Sequence, residues 1–287
     1  MPEVAAIAKD LLERGVVKAV IGYAAAGPNR TRPFIARTAE QANALVFNRH
    51  ALNNLAVFLT RRRKPVAGPV AVVAKGCDVR ALIMLMQEQQ VRREDVHIIG
   101  VTCGGVASSM GTPWSVETAA PKCAHCRFHT PHLYDSLAEG TEEVGPLPDR
   151  SGERIKELEA LPPDERFAFW AEQFSRCIRC YACREVCPIC SCEQCVADKN
   201  QPQWIDRSPT SRGNFAWNLV RAFHLAGRCI GCNECERACP ADIPLSLLNR
   251  KLAMTALEEF HYIAGTDPAA PTLVGTYDKT DRQDYIA

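Results

Sequence analysis

The sequence predicts an N-terminal α/β domain with a partly parallel sheet, followed by a mostly helical, cysteine-rich domain. Three observations predict it. Short β-branched runs alternate with helical patterns over the first half, an order that implies parallel pairing and an α/β layer. Helical patterns dominate after residue 164. Apolar residues make up 47% of the 287 positions and charged residues 23%, ordinary globular usage that excludes a disordered chain.

The elements follow in order. Residues 16–22 (VVKAVIG) read as the first strand and residues 33–37 as a second, weaker one. Thr38 with Gln41 forms a capping box before a helix, and an apolar pattern resumes from Ala51 to about Arg62 through Leu52, Leu55, Val57 and Leu59. The basic run Arg61-Arg62-Arg63-Lys64 reads as the solvated end of that helix. Residues 69–74 (PVAVVA) form a buried-type strand. Asp78 caps a helix over 79–89 whose apolar stripe is Leu82, Ile83, Leu85 and Met86, and residues 95–101 form the next strand. These elements place the α/β domain at 1–134. Residues 135–163, rich in Gly, Pro and Glu, read as a linker with one exposed helix near 153–160. The helical domain, 164–260, opens with a helix over 164–175 that sets Phe167, Trp170 and Phe174 on one face. A helix over 213–226 follows, with Phe215, Leu219 and Phe223, closed by Gly227. Pro244 opens a last helix to about Phe260. The tail, 261–287, is polar without a clear period and reads as an extended arm or a fraying end.

Cysteine is the outlier, with 15 residues. Disulfide-rich chains are short, secreted and even in cysteine count, and this one is long and odd. It shows no basic-then-apolar leader and no run long enough for a membrane span, so a cytoplasmic protein with reduced thiols is expected. A formal net charge of +1 gives no general attraction to nucleic acid or acidic lipid.

The most specific pattern is Cys177-x2-Cys180-x2-Cys183-x3-Cys187-Pro188, repeated at Cys229-x2-Cys232-x2-Cys235-x3-Cys239-Pro240. This is the spacing of two-cluster bacterial ferredoxins. A cubane offers four iron corners, and CxxCxxC wraps three of them in one tight loop. The fourth cysteine, a turn further on, points to the partner cube. One cluster is then expected on Cys177, Cys180, Cys183 and Cys239, the other on Cys187, Cys229, Cys232 and Cys235. The alternative, zinc ribbons, takes separated CxxC pairs and fits the spacing poorly. The second half therefore reads as a helical dicluster ferredoxin domain.

A second constellation is Cys77, Cys103, Cys123 and Cys126. Cys77 and Cys103 each follow a strand of a parallel unit, which brings both to the carboxyl edge of the sheet, where open α/β sheets bind ligands. The helix start beside Cys77 favours thiolates and an anionic cluster, and Lys122-Cys123-Ala124-His125-Cys126 can close the site. Four cysteines from three segments suit a third cubane. Buried thiols beside an unrelated CxxC, or a zinc site, are the alternatives. Cys190, Cys192 and Cys195, in PICSCEQC, are candidate ligands of an extra metal that would need one more donor; the favoured reading is spare thiols in a loop. Arg176, Arg179, Arg184, Arg228 and Arg237 lie among the ferredoxin cysteines, either as surface charge or to offset the −2 left by four thiolates on a 2+ cubane. His125 and His129 flank the Cys77, Cys103, Cys123 and Cys126 constellation. Trp170, Trp204 and Trp217 read as core or interface anchors.

The long interval from Cys187 to Cys229, with its helix, departs from the compact hairpin ferredoxin. It resembles the helical ferredoxin domains of heterodisulfide reductase and succinate dehydrogenase iron–sulfur subunits, as does the ending CPADIPL at 239–245. Residues 11–127 resemble the beta-subunit family of F420-reducing hydrogenase and F420-dependent formate dehydrogenase, through LLERGVVKAVIG, VAVVAKGCDVRAL, IIGVTCGG and KCAHC. That resemblance implies one 4Fe-4S cluster on Cys77, Cys103, Cys123 and Cys126 beside a flavin. The Gly-rich segment that the family carries before its first helix has no counterpart here, since Gly22-Tyr23 and Ala26-Gly27-Pro28 are ordinary turns.

The expectation is an iron–sulfur electron-transfer subunit of a cytoplasmic multi-subunit redox complex from anaerobic metabolism, with three 4Fe-4S clusters and no catalytic residue of its own. By resemblance its partners are a heterodisulfide-reductase-like flavoprotein, a hydrogenase, or a formate or aldehyde dehydrogenase. The alternative is a FAD-containing oxidoreductase subunit acting on F420 or NAD(P). A zinc-stabilised binding module for nucleic acid or protein is disfavoured by the near-neutral charge and the cysteine spacing.

Overall fold

A computed structural model describes residues 1–60, 66–275 and 280. A mixed five-stranded sheet occupies the N-terminal part. Its strands are β1 (Val20–Ala25), β2 (Thr31–Ala36), β3 (Val70–Ala74), β4 (Val96–Val101) and β5 (Ser136–Ala138), in the order β2-β1-β3-β4-β5. The β1–β2 pair is an antiparallel hairpin, and the other three pairings are parallel. The central strand β3 is buried along its whole length, as an all-apolar VAVVA run between covered faces demands. Helices α1 (Val4–Glu13), α2 (Ala39–Ala42) and α3 (Gly76–Gln87) belong to this layer. The cysteine-rich part is helical: α4 (Arg150–Ala160), α5 (Pro163–Ser175), α6 (Ala182–Glu185), α7 (Ser211–Leu225), α8 (Glu234–Arg237) and α9 (Leu245–Phe260).

Several expectations shift. The first strand starts at Val20, not at residue 16, and runs on through Ala24-Ala25, because β2 supplies partners as far as Ala25↔Thr31. The helix expected over 51–62 is a single 3-10 turn, Leu55–Leu59, capped by the Asn54 side chain, which accepts from Ala56 N–H at 3.1 Å. That segment has no polar face: Ala51, Leu52, Leu55, Ala56, Val57 and Leu59 are all buried, so tertiary packing overrides helical periodicity. The basic run 61–64 lies outside the described residues. Helix α3 starts at Gly76, and Asp78 sits at its third position, reaching back to Lys75 N–H at 2.9 Å. The stretch read as a linker contributes β5, whose three residues pair with β4 through Ile99↔Ser136, Gly100↔Leu137 and Val101↔Ala138. Strand pairing there comes from context more than propensity. Helix α4 is not simply exposed, since Ile155 and Leu158 pack against Leu247 and Trp170.

The face of α7 is the most instructive correction. Its buried residues are Asn214, Trp217, Asn218, Arg221, Ala222 and Leu225, whereas Phe223, one of the expected stripe, is 62% exposed. Polar side chains turn inward because the cysteine loops offer them carbonyls. Asn214 Nδ2 donates to Cys177 O at 2.6 Å and Arg221 Nη2 to Cys183 O at 3.0 Å. On α5, Phe174 is buried and stacks on Trp170, while Phe167 is exposed against Phe215.

The main apolar core starts in the sheet and continues without a break into Ile189, Leu225, Ile230, Cys232 and Ala264. The first part of the tail docks on α3: Gln87 Nε2 donates to Asp267 O and Ala270 O at 2.8 Å each, and Ala264 is buried. Among the described residues no helix is long and apolar enough to cross a membrane.

Candidate metal centres

Strands β3 and β4 run parallel in register, so the chain leaves both at one sheet edge. Cys77 is the second residue of α3, directly after β3, and Cys103 lies two residues beyond β4. A 3-10 turn, Pro121–Cys123, brings Cys123 and Cys126 across. All four line one cavity with about 550 Å³ of empty space. Its floor requires glycine at 76, where a Cβ would stand 1.9 Å from Phe128 O. Val106 N–H donates to Cys123 Sγ at 3.4 Å.

The cavity is dry and cationic. Burial pushes the Cys77 thiol up to about 12, with Asp78 adding to the effect and Lys75 and Lys122 opposing it. Burial likewise raises Cys103 to about 11 against the pull of Lys75. Such thiols give up their protons when a metal supplies the compensating charge. Lys75 is buried, with Nζ 2.9 Å from Asp78 Oδ2 and 2.9 Å from Asn53 O, and it also donates to Tyr23 Oη. Burial lowers its pKa, but Asp78 and Cys77 outweigh that and keep it charged. Lys122 Nζ donates to Leu52 O at 3.0 Å and stands 3.9 Å from Glu234. His125 and His129 both line the cavity, as their positions beside the cysteines suggested. His129 Nδ1 lies 3.0 Å from Cys103 O, and burial holds His125 down to about 4, so it is neutral near pH 7.

The two ferredoxin repeats fold into the same loop. In each, the residue before the second cysteine and the residue after it are left-handed: Arg179 (φ 56°) and Tyr181 (φ 60°), then Gly231 (φ 70°) and Asn233 (φ 55°). One-turn helices α6 and α8 follow and carry Cys183 and Cys235. Cys183 is buried, raised to about 11 by burial against the opposing Arg221, and within electrostatic reach of Cys177, Cys239 and Cys180. Cys232 is buried beside Cys187 and Cys229, and Cys235 beside Cys229 and Cys187. Cys183 and Cys235 also lie in one packed cluster with Cys177 and Cys239, so the two repeats face each other. Gly231 N–H donates to Cys229 Sγ at 3.4 Å and Asn249 Nδ2 to Cys235 Sγ at 3.8 Å.

Two arginines, Arg80 partly buried and Arg221 buried, lie near the cysteine groups. Arg80 lies among Cys229, Cys77, Cys126 and Cys232, so it spans the sheet-edge set and the second-repeat set. Arg221 lies among Cys190, Cys187, Cys235 and Cys183, spanning the two ferredoxin sets. Arg80 thus couples electrostatically to cysteines of the sheet edge and of the second repeat, and Arg221 to cysteines of both repeats. Neither arginine stood out in sequence. Arg80 could have been noticed one turn along the helix from Cys77, but Arg221 sits on a helix face whose polarity hides its burial. The arginines that sequence singled out are mostly committed elsewhere. Arg184 pairs with Asp198, Arg228 with Glu88 and Arg237 with Glu234, while Arg179 donates to Asp206 O and packs on Trp217. Of the tryptophans, Trp217 is buried and Trp204 is 69% exposed.

The donor chemistry fits iron–sulfur clusters: thiols in two ferredoxin-type repeats and four more around one cavity, with buried cations beside them. Among the described residues no three His, Cys, Asp or Glu side chains converge on a point suited to one metal ion. Cys190, Cys192 and Cys195 are dispersed in environment. Cys190 shares a hydrogen bond with Cys187, which holds Cys187 low and Cys190 high; Cys192 is exposed, and Cys195 packs against the core around Cys183.

Residues 173–243 match the family described as the 4Fe-4S dicluster domain, so the C-terminal part carries such a domain. The chain is 23% identical to the F420-dependent formate dehydrogenase subunit beta of Methanocaldococcus jannaschii, over 71% of this chain and 76% of that one. It is 33% identical to the subunit beta of F420-dependent formate dehydrogenase 1 of Methanococcus maripaludis, over 37% of this chain and 27% of the relative. Against the alpha 1 subunit of the acetyl-CoA decarbonylase/synthase complex of Methanosarcina acetivorans it is 30% identical over 44% of this chain, but spans only 13% of that protein. The resemblance to formate dehydrogenase beta subunits and the fold class expected from sequence both hold.

Proposed function

We propose that this chain, with its dicluster domain and its similarity to formate dehydrogenase beta subunits, is a cytoplasmic electron-transfer subunit that relays electrons through three 4Fe-4S clusters. Residues 1–134 hold the first cluster on Cys77, Cys103, Cys123 and Cys126. Residues 164–260 hold the other two, on Cys187, Cys229, Cys232 and Cys235 and on Cys177, Cys180, Cys183 and Cys239. What supports this reading is the single cavity lined by Cys77, Cys103, Cys123 and Cys126, with Arg80 reaching from it to Ile230 O of the second repeat and Arg221 bonding Cys183 O of the first, so that the three clusters would form a row. Clusters bound there supply one-electron chemistry. The chain's own residues hold them dry, fix their spacing and set the local charge. One end of the row is open, since Cys180 is exposed and Ile178 beside it is 65% exposed, which suits exchange with a redox partner. The partner is a formate dehydrogenase, hydrogenase or similar flavin- or metal-bearing oxidoreductase subunit.

Anaerobic iron analysis tests this. About twelve iron atoms per chain are expected, four for each cubane. Cys77→Ala should lose about four and keep the ferredoxin pair; unchanged iron would reject the first cluster. A second reading rests on the open cavity of about 440 Å³ beside Cys126 and Cys229, lined also by Arg127 and Arg250. A FAD held there would make the chain a flavoprotein acting on F420 or NAD(P). One flavin released per chain by acid would favour that reading over a pure relay.

A further inference from the structure

Arg221 is a buried cation without a carboxylate. It is 8% exposed, on α7, and among the described residues no Asp or Glu pairs with it. Nη2 donates to Cys183 O at 3.0 Å, while Nε is buried without any hydrogen-bond partner. The neighbouring arginines differ: Arg184, Arg228 and Arg237 each pair with a carboxylate. An isolated guanidinium in a dry interior is costly unless an anion faces it. Its one hydrogen bond is to the Cys183 backbone, and the thiols of Cys183 in one ferredoxin repeat and of Cys190, Cys187 and Cys235 lie within its electrostatic reach.

We infer that Arg221 is the shared counter-charge of the two ferredoxin clusters, a positioning residue that sets both reduction potentials together. The inference rests on the cluster reading proposed above. Each four-thiolate cubane carries about −2 when oxidised and gains one more negative charge on reduction. A single cation between them favours the reduced form of both. The planar fork of arginine can face two anions at once, which a point charge does less well. This also gives α7 a role. The long insert between the two repeats threads a helix behind the cysteine loops and delivers this side chain where a compact hairpin would have none.

The test is a dye-mediated, EPR-monitored redox titration of the purified full chain under anaerobic conditions, with iron counted for every variant. In Arg221→Met and Arg221→Gln both ferredoxin potentials should fall, by about a tenfold change in the reduced-to-oxidised ratio, or about 59 mV for one electron. The sheet-edge cluster should stay where it is, and Arg221→Lys should recover most of the shift. Two unmoved potentials at full iron, or a shift in only one cluster, would overturn the inference. So would Arg221→Lys behaving like Arg221→Met. If the neutral variants fail to retain the pair while Arg221→Lys retains it, the charge requirement stands; if Arg221→Lys loses the iron as well, the role is structural and the inference fails. Failure of the underlying reading looks different, because wild-type protein would then hold fewer than about eight iron atoms on the ferredoxin cysteines.

Discussion

Asp78 shows how one buried side chain ties the sheet edge together. Its Oδ2 accepts from Lys75 N–H and pairs with Lys75 Nζ, each at 2.9 Å, and its Oδ1 accepts from Leu55 N–H at 2.9 Å. Both members of the pair are nearly inaccessible, at 2% and 0% side-chain exposure. Removing one partner leaves a buried charge uncompensated, at about 3–5 kcal/mol. Asp78→Ala should therefore lower unfolding free energy by about that amount, read from the denaturant midpoint of the cluster-loaded chain. A loss well under 1 kcal/mol would mean that water reaches Lys75. The capping role of Asp78 was visible in sequence. Its ion pair was not, because Lys75 and Asp78 meet only once α3 begins three residues earlier than its apolar stripe suggests.

Helices α4 and α9 are joined through another aspartate. Asp149 caps α4 by accepting from Gly152 N–H at 3.0 Å, and both its oxygens accept from Arg250 of α9 at 2.6 Å. The hydrogen bond from Arg250 holds the carboxyl down to about 2. Its charge is present near neutral pH. Asp149→Ala should cost about 0.5–2 kcal/mol, as lost caps do. Hydrogen exchange should accelerate along α4 and leave β3 unchanged; equal protection in both would show the pin to be idle. At this scale the sequence read α9 to within a residue and misplaced the face of α7. Apolar periodicity locates a helix whose buried side is apolar, and it misleads where the buried side carries Asn214 and Arg221 to bond the cysteine loops.

Across the whole molecule, the sheet and the cysteine-rich part share one core, and Arg80 fastens them. Its Nη1 donates to Ile230 O at 2.9 Å, and Nε and Nη2 donate to Ala264 O at 2.9 and 2.8 Å. Arg228 adds an ion pair to Glu88 just beyond α3. Calorimetry of the loaded chain should show one transition. Arg80→Ala leaves two buried carbonyls without a donor, at about 1–3 kcal/mol each, and should split or broaden that transition. An unchanged single peak would mean that the apolar core alone joins the two parts.

The sequence by itself determined the α/β-then-helical order, the paired cysteine loops and the sheet-edge position of Cys77 and Cys103. These follow from local spacing and from the rule that parallel strands release the chain at one edge. Only the tertiary structure decided which cations accompany the cysteines. Arg80 and Arg221 take their meaning from groups far away in the chain, and a charged residue on a helix looks solvated until packing shows that it is not.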